Sequence, residues 1–153
     1  MKENWIRLLS HFRKNSRERL TKISRKTSIP VSTIFDRLKE FEKSIIRKHT
    51  SLIDFHKLGY VTHANVTLKF DKDDRKPAAE YLMKHMNVNS LYKITNGFDY
   101  MAEVLFKNLS ELECFREELE ERFNLKDIEM HYILDDLKRE EFMADDALMP
   151  GIR

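Results

Sequence analysis

Glycine, proline and cysteine are all scarce in this chain, with 3, 3 and 1 copies among 153 residues. So few glycines and prolines leave little material for elaborate loops, and long regular elements are expected instead. The lone cysteine, Cys114, excludes an internal disulfide framework. Its apolar neighbours at helical spacing predict a buried structural thiol rather than a nucleophile, in a reducing, intracellular setting. No apolar run approaches a membrane span, and Met1-Lys2-Glu3-Asn4-Trp5 lacks a signal-peptide core. The expectation is a cytoplasmic protein with no membrane partner. Gly-rich phosphate loops and nucleophile motifs are missing as well. The carboxylate runs Glu117-Glu118, Glu120-Glu121 and Asp135-Asp136 read as solvated faces rather than acid/base pairs. Neither catalysis nor a cofactor is expected.

Charge is what the chain has in quantity: 35% of residues are charged and 41% hydrophobic, a balance that suits a folded globular protein. The length allows one domain or two small ones. A net charge of +2 conceals a polarity. Residues 1–59 hold 15 Lys and Arg against 6 Asp and Glu, a balance of +9, and residues 60–153 hold the other 13 and 20, a balance of −7. One half is thus suited to a polyanion and the other is not, with a solvated basic face as the alternative account.

The stretch Ser28 to Phe41 reads as a helix with Val31, Ile34, Leu38 and Phe41 on one stripe. Its other face carries Ser32, Thr33, Phe35, Asp36, Lys39 and Glu40, and Pro30 suits the first turn, where a missing N–H costs nothing. Upstream, Leu20 and Ile23 repeat the apolar spacing, Ser24 is small enough for a close crossing, and Thr27-Ser28 forms a short turn. This is the grammar of a helix–turn–helix, although an ordinary helical hairpin shares the spacing. A preceding helix over Glu3 to Arg13 turns Trp5, Leu8, Leu9 and Phe12 to one side, and Ser16 is expected to cap the second helix. Ser44 to Asp54 reads as a small hairpin or wing, with Arg47, Lys48 and His49 either against phosphates or merely solvated.

Beyond a linker at Phe55–Tyr60 the pattern becomes β–α–β–β–α–β. Val61 to Phe70 alternates, with Ala64, Val66, Leu68 and Phe70 on the dry face. A helix beginning near Pro77 is expected to bury Ala78, Tyr81, Leu82, Met83 and Met86. Strands over Val88–Thr95 and Phe98–Phe106 flank Asn96-Gly97, a strong hairpin signal. Ser110 is expected to cap a helix carrying Leu112, Phe115, Leu119 and Phe123. The last strand, Lys126 to Leu137, places Ile128, Met130, Tyr132 and Leu134 on one side. The fold class is therefore α+β, an N-terminal winged helix–turn–helix joined to a ferredoxin-like βαββαβ sandwich. The bounds are 1–54, a linker at 55–60, 61–138, and a tail at 139–153. The tail holds Met143, Leu148 and Met149 and either straps onto a neighbouring subunit or frays. A sheet with helices on one side leaves its other face for a partner, expected to be a second copy. The six histidines (11, 49, 56, 63, 85, 131) show no helical ligand spacing, so no metal site is expected.

Ile29 to Ile46, the Asp54-Phe55-His56-Lys57-Leu58-Gly59 connection and Ile94 to Val104, in this order and spacing, resemble the Lrp/AsnC family of transcription regulators over about Glu3 to Lys138. The resemblance implies double-stranded DNA as partner and a homodimer or higher even oligomer formed through the C-terminal domain. It also implies a possible amino-acid or other small-molecule effector. By position it assigns Ser32, Thr33, Phe35, Asp36, Arg37 and Lys39 to the DNA-reading helix, and Asn96, Gly97, Phe98 and Asp99 to the effector hairpin. Arg7, Arg17, Arg19, Lys22, Arg25, Arg47 and Lys48 would supply phosphate attraction. Asp36 stands where the family usually has a basic or small residue, an acid suited to accepting from a cytosine amino group. Ile128 and Met130 replace threonines common on the last strand. An alternative is a sirohaem-decarboxylase-like enzyme on the same two-domain plan, with His63 and His131 on one sheet face; the basic first half speaks against it. A domain used only for assembly leaves that charge without a role.

Overall fold

The computed structural model describes residues 3–145. The chain divides into two compact units, Met1–Leu52 with Leu137–Arg153, and Ile53–Asp136. Among the described residues no helix is long and apolar enough to cross a membrane.

The first unit contains helices α1 (Glu3–Lys14), α2 (Leu20–Thr27) and α3 (Val31–Ser44). Its core is Leu8 and Phe12 of α1, Ile23 of α2, and Ile34 and Phe41 of α3, with Trp5, Leu9, Leu20, Ile29, Leu38 and Ile46 around them. Val31, expected on the buried stripe, is 40% exposed because it opens the first turn of α3 beyond the reach of the other helices. Ser16 does not cap α2. The Asn15 side chain accepts from the Arg17 N–H at 3.0 Å and the Asn15 carbonyl from the Glu18 N–H at 3.0 Å, so residues 15–18 form a turn and Arg19 becomes the N-cap. The expected hairpin over Ser44–Asp54 is also corrected. No strand forms there, and Arg47 to Asp54 are exposed, so the β-prone run has no neighbouring strand to complete its hydrogen bonds.

The C-terminal segment also belongs to this unit. Arg13 pairs with Glu140, its Nε donates to the Phe142 carbonyl at 3.2 Å, and Ala144 is buried. The segment thus lies on α1 of its own chain. Leu148 and Met149 fall outside the described residues.

In the second unit a short 3-10 helix, Phe55–Leu58, precedes β1 (Thr62–Phe70), α4 (Arg75–Lys84), β2 (Val88–Lys93), β3 (Tyr100–Phe106), α5 (Leu109–Arg122) and β4 (Leu125–Tyr132). The strands form one antiparallel sheet in the order β2-β3-β1-β4. Ala64, Val66, Leu68 and Phe70 of β1 meet Ala102, Val104 and Phe106 of β3 and, from the helices, Ala78, Leu82, Leu112, Phe115 and Leu119 in one core. Ile128 and Met130 lie opposite Leu68 and Val66, so these two residues also face the helices. Asn108, not Ser110, caps α5, its side chain accepting from the Glu111 N–H at 2.9 Å. Ser110 already lies inside the first turn, one residue past the position from which a side chain caps the helix. Cys114 is exposed rather than buried, because the inward stripe of α5 is Leu112, Phe115 and Leu119. β4 ends at Tyr132, which leaves Leu134 beyond the ladder and 96% exposed.

Met83 and Met86 correct the expected interior of α4. Ala78 and Leu82, one turn apart, hold the buried stripe; Met83 lies off it and Met86 beyond the helix end. Leu82→Ala should therefore cost about 2–5 kcal/mol by opening a cavity. Met86→Ala, at a side chain 91% exposed, should stay within about 0.5 kcal/mol. Urea denaturation of both variants checks the pair.

Candidate nucleic-acid interface

The turn between α2 and α3 is set by three residues. Ser28 adopts a left-handed backbone, φ 58°, and its N–H closes onto the Ser24 carbonyl at 2.8 Å. Pro30 disfavours a helical conformation at Ile29, which stops α2 from continuing. The Pro30 carbonyl then accepts from the Ile34 N–H at 3.1 Å and opens α3.

With Ile34 and Phe41 buried, the outward face of α3 follows from helical pitch. Ser32, Phe35, Asp36, Lys39 and Lys43 line it at i, i+3, i+4, i+7 and i+11, all exposed. Phe35 is 48% exposed, and the Lys39 ammonium sits 5.1 Å from its ring centre. Thr33 is half-buried at the edge of the stripe. Arg37, expected at the reading face, stacks its guanidinium 4.3 Å from the Trp5 ring centre on α1 and pairs with Glu40. It braces α3 against α1.

Glu18 organises the cationic side of α2. Its carboxylate lies 2.8 Å from Lys26 Nζ, 3.1 Å from His11 Nδ1 and 3.5 Å from Lys22 Nζ. Lys22, expected against phosphate, is thus already beside an acid. The hydrogen bond from Lys26, followed by that from His11, holds the Glu18 carboxyl at about 2, well below the usual range and against the opposing effect of burial. Arg17, Arg19 and Arg25 are exposed around α2, and Arg47 and Lys48 lie exposed in the irregular stretch after α3. His49, in that same stretch, reaches back to Glu42 of α3 at 3.1 Å.

The hairpin of the second unit turns at Asn96 and Gly97, with φ 69° and 96°. Asn tolerates this left-handed backbone well enough for the tight turn to form. Asp99 has a structural task that its sequence context did not reveal. Its side chain accepts from the Phe70 N–H at 2.9 Å and meets Arg75 Nε at 2.9 Å, while its own N–H donates to Leu68 O at 2.9 Å. It fastens the hairpin to the end of β1 and the start of α4. Phe98 beside it is half-buried.

The sheet face away from the helices carries His63, Asn65, Thr67, Ser90, Tyr92, Met101, Glu103, Leu105, Glu129 and His131. It is more polar than the strand composition suggests, because most apolar strand residues point to the helices. Glu103 is its centre: His63 Nε2 approaches at 2.9 Å, and Asn89 and Ser90 donate at 2.8 and 2.9 Å. His131 is on the same face beside Glu129 at 3.5 Å. Thr67 Oγ1 is buried without a hydrogen-bond partner.

A buttressed helix with an open polar-aromatic stripe, in a chain that also carries a ferredoxin-like unit, defines a helix–turn–helix protein with an attached α+β domain. The family model for the Lrp/AsnC ligand binding domain matches residues 63–142. The HTH-type transcriptional regulator FL11 of Pyrococcus abyssi is 29% identical over 110 residues, 71% of this chain and 73% of the relative. An uncharacterised HTH-type transcriptional regulator of Pyrococcus furiosus is 32% identical over 110 residues, 71% of this chain and 74% of the relative. Two solved structures share the fold. One is a Neisseria meningitidis transcriptional regulator in complex with L-Met, with TM-score 0.83, 20% identity and coverage of 91% and 93%. The other is Bacillus subtilis LrpC, with TM-score 0.81, 19% identity and coverage of 90% and 97%. The chain belongs to the Lrp/AsnC family and is a transcription regulator of that type.

The Glu18 arrangement has a pH signature. A carboxyl held at about 2 when folded, against 4.5 as its reference, contributes stability that is complete above 4.5 and lost as pH falls toward 2. Glu18→Gln should lower the denaturation midpoint at pH 6 and flatten its fall between those values, which acid titration by circular dichroism checks. Asp99→Ala, which strands the buried Phe70 N–H and the Arg75 guanidinium, should cost about 1–3 kcal/mol in thermal melts.

Proposed function

We propose that this regulator binds double-stranded DNA with the outward face of α3 in the major groove and assembles as a homodimer or higher even oligomer through the unit Ile53–Asp136. The observation that carries the DNA reading is the exposed stripe Ser32, Phe35, Asp36 and Lys39 on a helix whose rotation is locked by Ile34 and Phe41. Ser32 and Thr33 are short donors near the N-terminal end of α3, the end that such helices direct at base edges. Asp36 suits a cytosine amino group, and Phe35 offers a flat apolar contact to a thymine methyl. Arg7, Arg17, Arg19, Arg25, Arg47 and Lys48 supply a sequence-independent attraction to phosphates, in the half of the chain with a balance of +9.

The Met101 side chain among polar neighbours and the 53% exposed Tyr92, both on the sheet face away from the helices, support assembly through that face. An effector bound at the Asn96-Gly97-Phe98-Asp99 hairpin is part of the same reading, and the similar Neisseria regulator is a complex with L-Met. Asp99 would hold the hairpin in shape for such a ligand, since both of its oxygens already have protein partners. The tetrapyrrole-enzyme alternative draws no support: the relatives are regulators by name, and His63 is committed to Glu103.

Fluorescence anisotropy with duplex from upstream of the protein's own gene, titrated against salt, tests the proposal. Binding should weaken steeply with salt, and Lys39→Ala should weaken it across sequences while lowering the salt slope by about 1. Arg37→Ala should instead cost about 0.5–1 kcal/mol of stability by freeing Trp5, with the ratio of specific to non-specific affinity unchanged. Salt-independent binding, or none at low salt, would overturn the DNA reading.

A further inference from the structure

Within the first unit a cavity of about 350 Å³ opens between α1, α2 and the C-terminal segment. That volume falls at the lower end of small-molecule sites, which span about 300–1,000 Å³. Glu18 precedes α2, and Lys22 and Lys26 stand one turn apart on it; His11 and Lys14 reach the cavity from the last turn of α1. Three lysines against Glu18 and Asp145 leave these walls with one positive charge in excess, before any charge on His11.

The acceptors on the walls are already taken. Glu18, its side chain only 9% exposed, meets Lys26 at 2.8 Å, His11 at 3.1 Å and Lys22 at 3.5 Å, and these partners hold its carboxyl at about 2. The Asn15 side-chain oxygen accepts from the Arg17 N–H, and Asp145 has interactions of its own. The donors are less committed. Among the described residues Lys14 forms no ion pair, and the Asn15 side-chain nitrogen donates to no protein group. Lys22 stands at the longest of the three distances from Glu18 and is 66% exposed. A recess whose spare groups are N–H donors, two of them ammonium, calls for a ligand rich in acceptor oxygens.

We infer that this cavity is a binding site for a small organic anion, a carboxylate or a phosphate monoester, held by the Lys14 and Lys22 ammonium groups and the Asn15 amide. Both anions present two or more oxygens in a compact group, and charge-assisted hydrogen bonds from ammonium to such oxygens are among the stronger ones. Glu18 is a positioning residue: it fixes Lys26 and restrains Lys22, which lowers the side-chain entropy lost when a ligand arrives. A duplex backbone is the other anion this unit is proposed to meet. Exposed arginines serve that purpose, whereas the cavity wall includes Glu18 and His11 with side chains only 9% and 14% exposed. The inference goes beyond the DNA-binding reading and does not depend on it, because occupancy is measured without DNA.

Isothermal titration calorimetry of the full-length protein at low salt tests it, with succinate and glycerol 3-phosphate as probes and uncharged glycerol as the blank. At least one of the two anions should bind saturably with a dissociation constant on the order of 1 mM or tighter. Whichever binds more tightly identifies the carboxylate or the phosphate as the preferred group. Lys14→Ala removes no ion pair from the folded chain and should weaken binding about tenfold. Lys22→Gln, a second variant at an exposed side chain, should weaken it in the same direction. Lys84→Ala removes the same charge from an exposed position at the end of α4 and should leave the affinity within about twofold. Three results would each overturn the inference: no saturable binding of either anion at about 10 mM, an affinity that neither Lys14→Ala nor Lys22→Gln lowers, or an equal loss in Lys84→Ala. A labelled duplex whose binding weakens in Lys14→Ala while neither small anion binds would assign these lysines to DNA, and would overturn it too.

Discussion

Burial of Ile34 and Phe41, seven residues apart on α3, is the constraint on which the first unit depends. Two full turns of helix separate them, so their side chains enter the same core and leave α3 one rotational setting. Leu8 and Phe12 of α1 and Ile23 of α2 receive them. Once that setting is made, Ser32, Phe35, Asp36 and Lys39 have no direction to face but outward. The stacking of Arg37 on Trp5 and the pairing of His49 with Glu42 then tie the flanks of α3 to the rest of the unit.

The second unit depends in the same way on β1. It lies between β3 and β4 and presents Ala64, Val66, Leu68 and Phe70 to two helices. A slip of one residue would turn all four to the other face, so the register is strongly determined. Asp99 reinforces it at one end, where a single carboxylate joins β1, the β2–β3 hairpin and α4. His85 sits at the far end of α4, its ring 4.8 Å from that of Phe115, and burial pushes its pKa below the usual range despite the opposing pull of Glu118.

The legible parts of this architecture are those governed by short-range periodicity. The alternation of β1, the stripe of α5 and the Asn96-Gly97 turn are all properties of neighbours in sequence. Helix starts are not legible where two polar residues compete for one role, as with Ser16 beside Asn15 and Ser110 beside Asn108. The winner depends on where the first helical turn begins, a matter of one or two residues. Met83, Met86 and Cys114 are exposed despite their apolar type, because the width of the buried stripe is decided by the partner surface. The run Ser44–Asp54 had strand-forming residues and no strand to pair with, and propensity without a partner makes no ladder.

The sequence by itself determined the two-part plan, the order of elements, the charge polarity and the family. Each of these is carried by local pattern or by the summed charge of a segment. Only the tertiary structure decided the use of individual side chains. Arg37 stacks on Trp5, Asp99 staples a hairpin, Glu18 gathers Lys22, Lys26 and His11, and the C-terminal segment returns to Arg13. Glu140 lies 127 residues from Arg13, and Asp99 lies 29 from Phe70. No periodicity connects such positions. A charged side chain takes the best partner within a few ångströms, and which partners those are is settled only when the helices and strands have packed.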